Sequence, residues 1–478
     1  MKTCLFALNG SYAHSALGVR ALATALREAG LFCEVIEASL QDRTLSLLER
    51  LYEQNADLYG FSCYIWNLEQ MLDMARDLKA LRPDCRIVLG GPEVSYDSER
   101  FAAMPFVDHV VCGEGEVAMV SLVRDLAAGL EPARVLHGTP DPNFTTKGVH
   151  YSKNDPVSPL VYYESARGCP FSCAFCLSSA TKGVRAKSAE LTLAQLAEFE
   201  QLAGDFTVKL VDRTFNFDKE RAKVIWRGLL SPAYTKRYHF EVAAHLLDEE
   251  SFEILSQFPR GKVRLEVGLQ STNEKTLAAV CRQTDADTVL RACERLMREG
   301  GVHLHLDLIA GLPHEDFASF GRSFDAAYPH CHELQLGFLK LLHGTALRER
   351  AGEFGAVAMQ KAPYTVLKTA DLGFGEMAKL HAVSDLMERL RDKGRFVHTL
   401  HFLLGRLPSP FAFYCGLDDH LKKACPGRAL QKISQRDLFW QLSQYAKGLL
   451  PACEHGALSE AMRADYASAE VRRPPKGL

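Results

Sequence analysis

Residues 167–176 read RGCPFSCAFC and set Cys169, Cys173 and Cys176 in one short loop. A C-x3-C-x2-C run presents three thiolates to one centre, which suits an iron-sulfur cluster held by cysteine sulfur. Three ligands are one short of four. One iron of a four-iron cluster then keeps an open position that a substrate or cofactor can chelate, the feature that separates reactive metal sites from structural ones. The competing readings are a zinc site or three unrelated core cysteines; the spacing and the flanking Gly168 and Pro170 favour the cluster.

Downstream of this loop the chain repeats strand, loop and helix. Apolar strands are predicted at residues 161–165, entering the cysteine loop, then at 207–211, 239–243, 264–269, 303–309 and 334–339. Six such units predict a barrel with its chemistry at the C-terminal strand ends. Asp212 and Arg213 follow the second strand and are read as catalytic, against the alternatives of a local ion pair or a helix cap. Glu241 lies in an alternating run: facing inward it would hydrogen-bond a ribose or an ammonium group, facing outward it would be a solvated charge.

Upstream, residues 3–129 alternate strands (3–8, 32–37, 58–62, 86–89, 109–112) with helical periods (16–29, 45–52, 68–81), an α/β pattern that predicts a doubly wound, Rossmann-like or flavodoxin-like sheet. Ligands bind such sheets beyond the carboxyl ends of the strands. That selects Asn9, Ser11, Tyr12 and His14, then Ser62 and Trp66, then Gly90, Gly91 and Glu93, then Gly113 and Glu114. Paired glycines at 90 and 91 would let backbone amides approach a flat or phosphate-bearing ligand. The proline-rich, polar residues 132–159 read as a linker. The expected organisation is a first domain over 1–131, a barrel over 160–350 and a mostly helical cap over 351–478, ending in a frayed tail at 470–478.

With 478 residues, 47% of them hydrophobic, and a net charge of -3, the chain is neither a disordered nor a nucleic-acid-coating protein. Neither a signal-peptide core nor a long apolar run is visible, which predicts a soluble, cytoplasmic protein. Most of the 14 cysteines are then expected to be reduced, with Cys4, Cys33, Cys63 and Cys112 acting as small hydrophobes inside strands.

The cysteine loop resembles the signature of the radical S-adenosylmethionine (SAM) enzymes, down to Phe175 before the third cysteine. The stretches LNGSYAHSALG, GFSCYIWN, VLGGPEVS and VVCGEGE resemble the cobalamin-binding domain that precedes the barrel in cobalamin-dependent members, and the whole pattern resembles the branch with a C-terminal domain of unknown function. The resemblance implies a partial (β/α)6 barrel and three cofactors: a 4Fe-4S cluster, SAM and cobalamin. It also implies that Phe175 packs near the adenine, that Gln270 meets SAM, that Arg282 pairs with its carboxylate, and that Asp307 lies in the same cofactor site. Many corrinoid folds ligate cobalt through Asp-x-His-x-x-Gly, whereas here Tyr12 stands in the Asp position and Leu17 in the Gly position. His14 is therefore read as capping the following helix or bonding the corrin edge in preference to ligating cobalt.

The activity implied is methyl transfer from methylcobalamin to an unactivated centre after hydrogen abstraction by a 5'-deoxyadenosyl radical, under anaerobic conditions. The alternatives are a radical rearrangement or cyclisation, and a non-catalytic corrinoid or redox sensor. The implied partners are a small-molecule or natural-product substrate and an external one-electron reductant of flavodoxin or ferredoxin type, with no membrane and no nucleic acid.

Overall fold

The structure, a computed structural model, describes residues 1–148, 151, 158–181 and 183–468. The tail expected at 470–478 lies outside the described residues.

The first sheet holds six parallel strands: β1 (Thr3–Asn9), β2 (Cys33–Ser39), β3 (Leu58–Ser62), β4 (Arg86–Gly90), β5 (His109–Cys112) and β6 (Val135–His137). Their order is β2-β1-β3-β4-β5-β6. Alternate residues serve opposite faces: Phe6, Tyr59 and Leu89 join one apolar cluster, Leu5, Val88 and Val111 the other. Strands buried on both faces read as continuous apolar runs, which is why five of these were legible. The sixth is a correction. Val135–His137 falls within the stretch read as linker, yet Val110 pairs with Val135 and Cys112 with His137. It is a short, half-exposed edge strand held by backbone pairing, so it carries no apolar period.

The second sheet is an open barrel. Its first strand is β7 (Leu160–Tyr163); the antiparallel pair β8 (Ala166–Arg167) and β9 (Arg185–Ala186) then brackets the cysteine loop. The remaining strands are β10 (Thr207–Leu210), β11 (Arg237–Val242), β12 (Val263–Gln270), β13 (Val302–Ala310) and β14 (Glu333–Phe338). They run parallel in the order β14-β13-β12-β11-β10-β7. Burial alternates along β12: Leu265, Val267 and Leu269 enter the apolar core, while Arg264, Glu266, Gly268 and Gln270 take the other face, toward the barrel lumen.

Beyond the barrel, a small hairpin of β15 (Val357–Ala358) and β16 (Val366–Lys368) leads into the helices Phe374–Met387, Val397–Leu404, Pro410–Ala424, Gln435–Leu449 and His455–Ser468. These helices share one core with the barrel. Phe411 packs 5.4 Å from Phe324, and Arg391 lies 3.9 Å over the Tyr328 ring. Among the described residues no helix is long and apolar enough to cross a membrane.

Candidate active site between the two sheets

A cavity of about 1310 Å³ lies where the C-terminal ends of β1, β3, β4 and β5 face the root of the cysteine loop. Asn9, His14, Ser62 and Trp66 line it, as do Gly90, Gly91, Gly113 and Glu114. From the barrel side it is closed by Tyr162, Arg167, Gly168 and Arg213. The cradle is built for close approach. Gly91 has φ +109°, and a Cβ there would stand 2.6 Å from the Cys63 carbonyl oxygen, so only glycine lets this loop pack against the residue that follows β3. Trp66 is half exposed, stacks 4.4 Å from Tyr64, and donates from Nε1 to the Leu8 carbonyl (3.3 Å), which fixes an aromatic plane on the wall.

Several expected contacts lie elsewhere. Tyr12 is exposed and donates its hydroxyl to Asp42, and Ser11 Oγ accepts from the Ala13 amide (3.3 Å) within the turn. Neither lines the cavity. Glu93 is buried beneath its loop and accepts the Tyr364 hydroxyl; burial pushes its carboxyl up while that bond pulls it down. His14 does not cap the helix Leu17–Glu28, which has no side-chain cap. Its Nδ1 instead lies 2.7 Å from the Tyr162 hydroxyl of β7, across the two sheets, and burial lowers its proton affinity.

The cysteine loop is tied down on all sides. Gly168 has φ +95°, and a Cβ there would come 2.1 Å from the Gly183 carbonyl. Cys169 Sγ is 3.5 Å from Thr214 Oγ1, and Arg282 Nη1 donates to Cys173 Sγ at 3.7 Å. The Ala174 amide donates to the Val280 carbonyl, and the Leu347 amide to the Ala174 carbonyl, both at 2.9 Å. Burial pushes the Cys173 thiol up, Arg282 opposes, and Cys176 and Cys169 add to the rise. Among the described residues no three His, Cys, Asp or Glu side chains converge on a point that a single ion would take. Cys169 and Cys176 both act on the Cys173 thiol, so the loop keeps the three sulfurs in one neighbourhood.

A charged hub that no local pattern announces joins this loop to the first sheet. Arg167 bonds Glu114 (2.7 Å), Glu116 (2.6 Å) and Glu164 (2.9 Å), and its guanidinium covers the Phe144 ring at 4.4 Å. Burial works against the Arg167 charge, but Glu164 and Glu116 outweigh it. Arg185 pairs with Glu114 as well. Glu114 thus lines the cavity with its carboxylate already committed to two arginines.

Asp212 also lies away from the cavity. It is fully buried, accepts the Ser165 amide (2.7 Å), the Ala166 amide (3.0 Å) and the Ser165 hydroxyl, and does not line the cavity. It therefore anchors the entry to the cysteine loop. Arg213, one residue on, does face the cavity. Glu241 faces the lumen: Lys209 Nζ lies 3.8 Å away, Glu266 and Asp307 act on it, and burial raises its carboxyl to about 7. Asp307 pairs with His305 at 3.0 Å. At a bulge in β12, Gln270 takes φ +74° and folds back over Gly268, whose carbonyl accepts from Arg282. Arg282 and Gln270 thus meet beside Cys173. Phe175 is partly buried against the main core.

The fold and site define a two-centre protein, with a doubly wound ligand domain facing a barrel that carries a three-cysteine loop. Residues 5–123 match the B12 binding domain family, residues 163–327 the radical SAM superfamily, and residues 352–477 a family described as a protein of unknown function (DUF4080). The chain therefore joins a B12-binding domain to a radical SAM domain, the composition of cobalamin-dependent radical SAM proteins. It is 27% identical over 299 residues to 2-(S-pantetheinyl)-carbapenam-3-carboxylate methyltransferase of Streptantibioticus cattleyicolor, covering 55% of this chain and 44% of that one. The chain spans about half the length of the curated relatives it matches first. Its fold is similar to TsrM from Kitasatospora setae, a radical SAM methyltransferase solved with cobalamin and a 4Fe-4S cluster (TM-score 0.64, 16% identity, 89% of this chain and 99% of that one). It is also similar to OxsB, solved with aqua-cobalamin and SAM (TM-score 0.64, 14% identity, 98% and 84%). At these identities the two structures speak for the fold alone.

Proposed function

We propose that this protein is a cobalamin-dependent radical SAM methyltransferase acting on a small-molecule or natural-product substrate. The observation that carries the reading is the shared cavity, onto which the strand-end loops of the B12-binding sheet and the root of the cysteine loop both open. When bound, a cluster with SAM supplies hydrogen abstraction and a methylated corrin supplies the methyl group, so no protein nucleophile is required. Cys169, Cys173 and Cys176 hold the cluster from one loop. The glycines at 90, 91 and 113 leave backbone and space for a flat macrocycle, and Trp66 gives it an aromatic wall. Arg213 and the lumen residues Glu241, Gln270, Arg282 and Asp307 orient SAM and substrate by charge and hydrogen bonding. The protein's share of the work is positioning and the exclusion of water and oxygen. A cytoplasmic setting and a one-electron donor of flavodoxin or ferredoxin type belong to the same reading.

The test is anaerobic reconstitution of wild type and Cys173→Ala, measuring iron, sulfide and cobalamin, followed by turnover with SAM labelled in its methyl group. We expect cluster iron to be lost in the variant while cobalamin stays bound, and label to appear in the product. Full iron in Cys173→Ala would reject the cluster. A product without label would reject methyl transfer in favour of a rearrangement.

A further inference from the structure

The segment that follows the barrel touches both ligand loops. At one end, the Leu347 amide donates to the carbonyl of Ala174, inside the cysteine loop. At the other, Tyr364 reaches across 271 residues of sequence and donates its hydroxyl to Glu93, beneath the loop that carries Gly90 and Gly91. The two anchors are joined within the segment itself. Arg348 donates to the Leu341 carbonyl and covers the Tyr364 ring at 5.0 Å, while the Leu341 amide donates to the Tyr364 carbonyl (3.1 Å). Lys340 bridges to Thr365, and His343 meets the Tyr364 ring edge-on at 5.1 Å.

Both anchors are dry and specific. Tyr364 and Glu93 are each at most 5% exposed, so neither group has water to replace its partner. Tyr364 adopts the left-handed backbone region (φ +56°), a conformation that a bulky residue keeps only where its surroundings over-determine it. Gly344 also leaves no room for a side chain against the ring of Tyr96, itself a cavity residue. The loop so held closes back on β3: the Cys63 amide donates to the Gly90 carbonyl and the Glu93 amide to the Cys63 carbonyl.

We propose that residues 339–368 form a strap that holds the Gly90–Gly91 loop in its ligand-cradling shape and fixes it relative to the cysteine loop. Tyr364 and Glu93 are its positioning pair. This gives the start of the C-terminal domain a role in retaining the macrocycle, and in that part it rests on the reading of the cavity as a corrin site. The latch itself does not.

Tyr364→Phe removes one hydroxyl and little volume; Glu93→Gln keeps an acceptor and should be milder. Hydrogen exchange on the full, cofactor-free chain tests the latch. Loss of a buried bond to a carboxylate should speed exchange at residues 90–96 by about tenfold to a hundredfold in Tyr364→Phe. In reconstituted protein, cobalamin should dissociate faster from Tyr364→Phe by a similar factor, with cluster iron unchanged. Lys361→Ala, which breaks only the exposed Lys361–Glu69 pair of the same strap, should leave both readouts at wild-type values. Unchanged exchange at 90–96 would overturn the proposal, as would a uniform rise across the chain with loss of iron. If wild type itself takes up no cobalamin, the corrin reading falls and the exchange arm alone decides the latch.

Discussion

Arg167→Met should loosen the contact between the two sheets. The methionine retains an apolar stem but leaves three carboxylates facing one another. Glu114 keeps Arg185, whereas Glu116, 8% exposed, and Glu164, 27% exposed, lose their closest cation. Breaking a buried pair from one side costs about 3–5 kcal/mol because a charge stays buried without a partner. The partial exposure of Glu164 argues for the lower end, about 3 kcal/mol, or roughly a hundredfold in a local opening equilibrium. Loss of the guanidinium over Phe144 adds to this. The assay is native-state hydrogen exchange, read on peptides covering residues 112–118 and 160–168, with the helices of the C-terminal region as internal control. Exchange should rise in the first two and stay constant in the third. Adding Glu116→Gln and Glu164→Gln to Arg167→Met should restore most of the protection, since the penalty lies in the uncompensated charges. Wild-type exchange in the single variant would show that the hub is a solvated surface cluster and refute the argument.

Two further outcomes follow from buried carboxyl groups. Asp212→Asn supplies one acceptor where three donors converge, so at least one buried donor stays unmet at a cost of about 1–3 kcal/mol. Exchange at residues 164–168 should rise and cluster iron should fall; full iron with lost turnover would instead restore Asp212 as a catalytic group. Glu315 is 1% exposed, accepts the Ser271 hydroxyl at 2.6 Å, and is raised by burial from 4.5 to about 7. Its folded value exceeds its unfolded one, so its contribution is complete below pH 4.5 and disappears as pH rises through about 7, a difference of about 3 kcal/mol. Glu315→Gln should flatten the fall in Tm between pH 5 and 8 and make the variant the more stable form at pH 8. An unchanged slope would exclude Glu315 as its source.

Most strands were legible because each is an apolar or alternating run bounded by turns, β6 being the exception, and the cysteine loop because three cysteines sit within eight residues. That the strand-end loops share one cavity was legible for a related reason: strand ends in a doubly wound sheet must face one crevice. What stayed hidden acts across sequence. His14 meets Tyr162 148 residues away, and Tyr364 meets Glu93 271 residues away. Periodicity in a short window carries no information about such partners. Asp212 and Glu93 were misplaced for one shared reason, since a carboxylate just past a strand end can either look into the crevice or turn back to satisfy backbone and hydroxyl donors. Local sequence is the same in both cases. Arg167 stood within the most informative stretch of the chain, but its three carboxylates lie 3, 51 and 53 residues away, and only the fold assembles them.

The character of these hidden contacts bears on what the cavity is for. An apolar contact between the sheets would tolerate sliding, because burial of area has no direction. Here directional bonds join the two sheets, His14 to Tyr162 and Arg167 to Glu114 and Glu116, while Ser15 bonds Tyr151 of the connecting segment at 2.8 Å. Such bonds fix register as well as proximity. Around this ring the chain places glycines at 90, 91, 113, 138 and 168, all of which line the cavity. At Gly138 a Cβ would stand 1.8 Å from the Glu114 carbonyl, and at Gly168 2.1 Å from that of Gly183, so the backbone itself forms the wall. The lining combines these glycines with the side chains of Trp66, Tyr162, Arg167 and Arg213, so backbone and fixed polar groups share the wall of the cavity. The arrangement makes physical sense if a large, flat ligand completes the interface and the rim holds it at a constant distance from the cysteine loop.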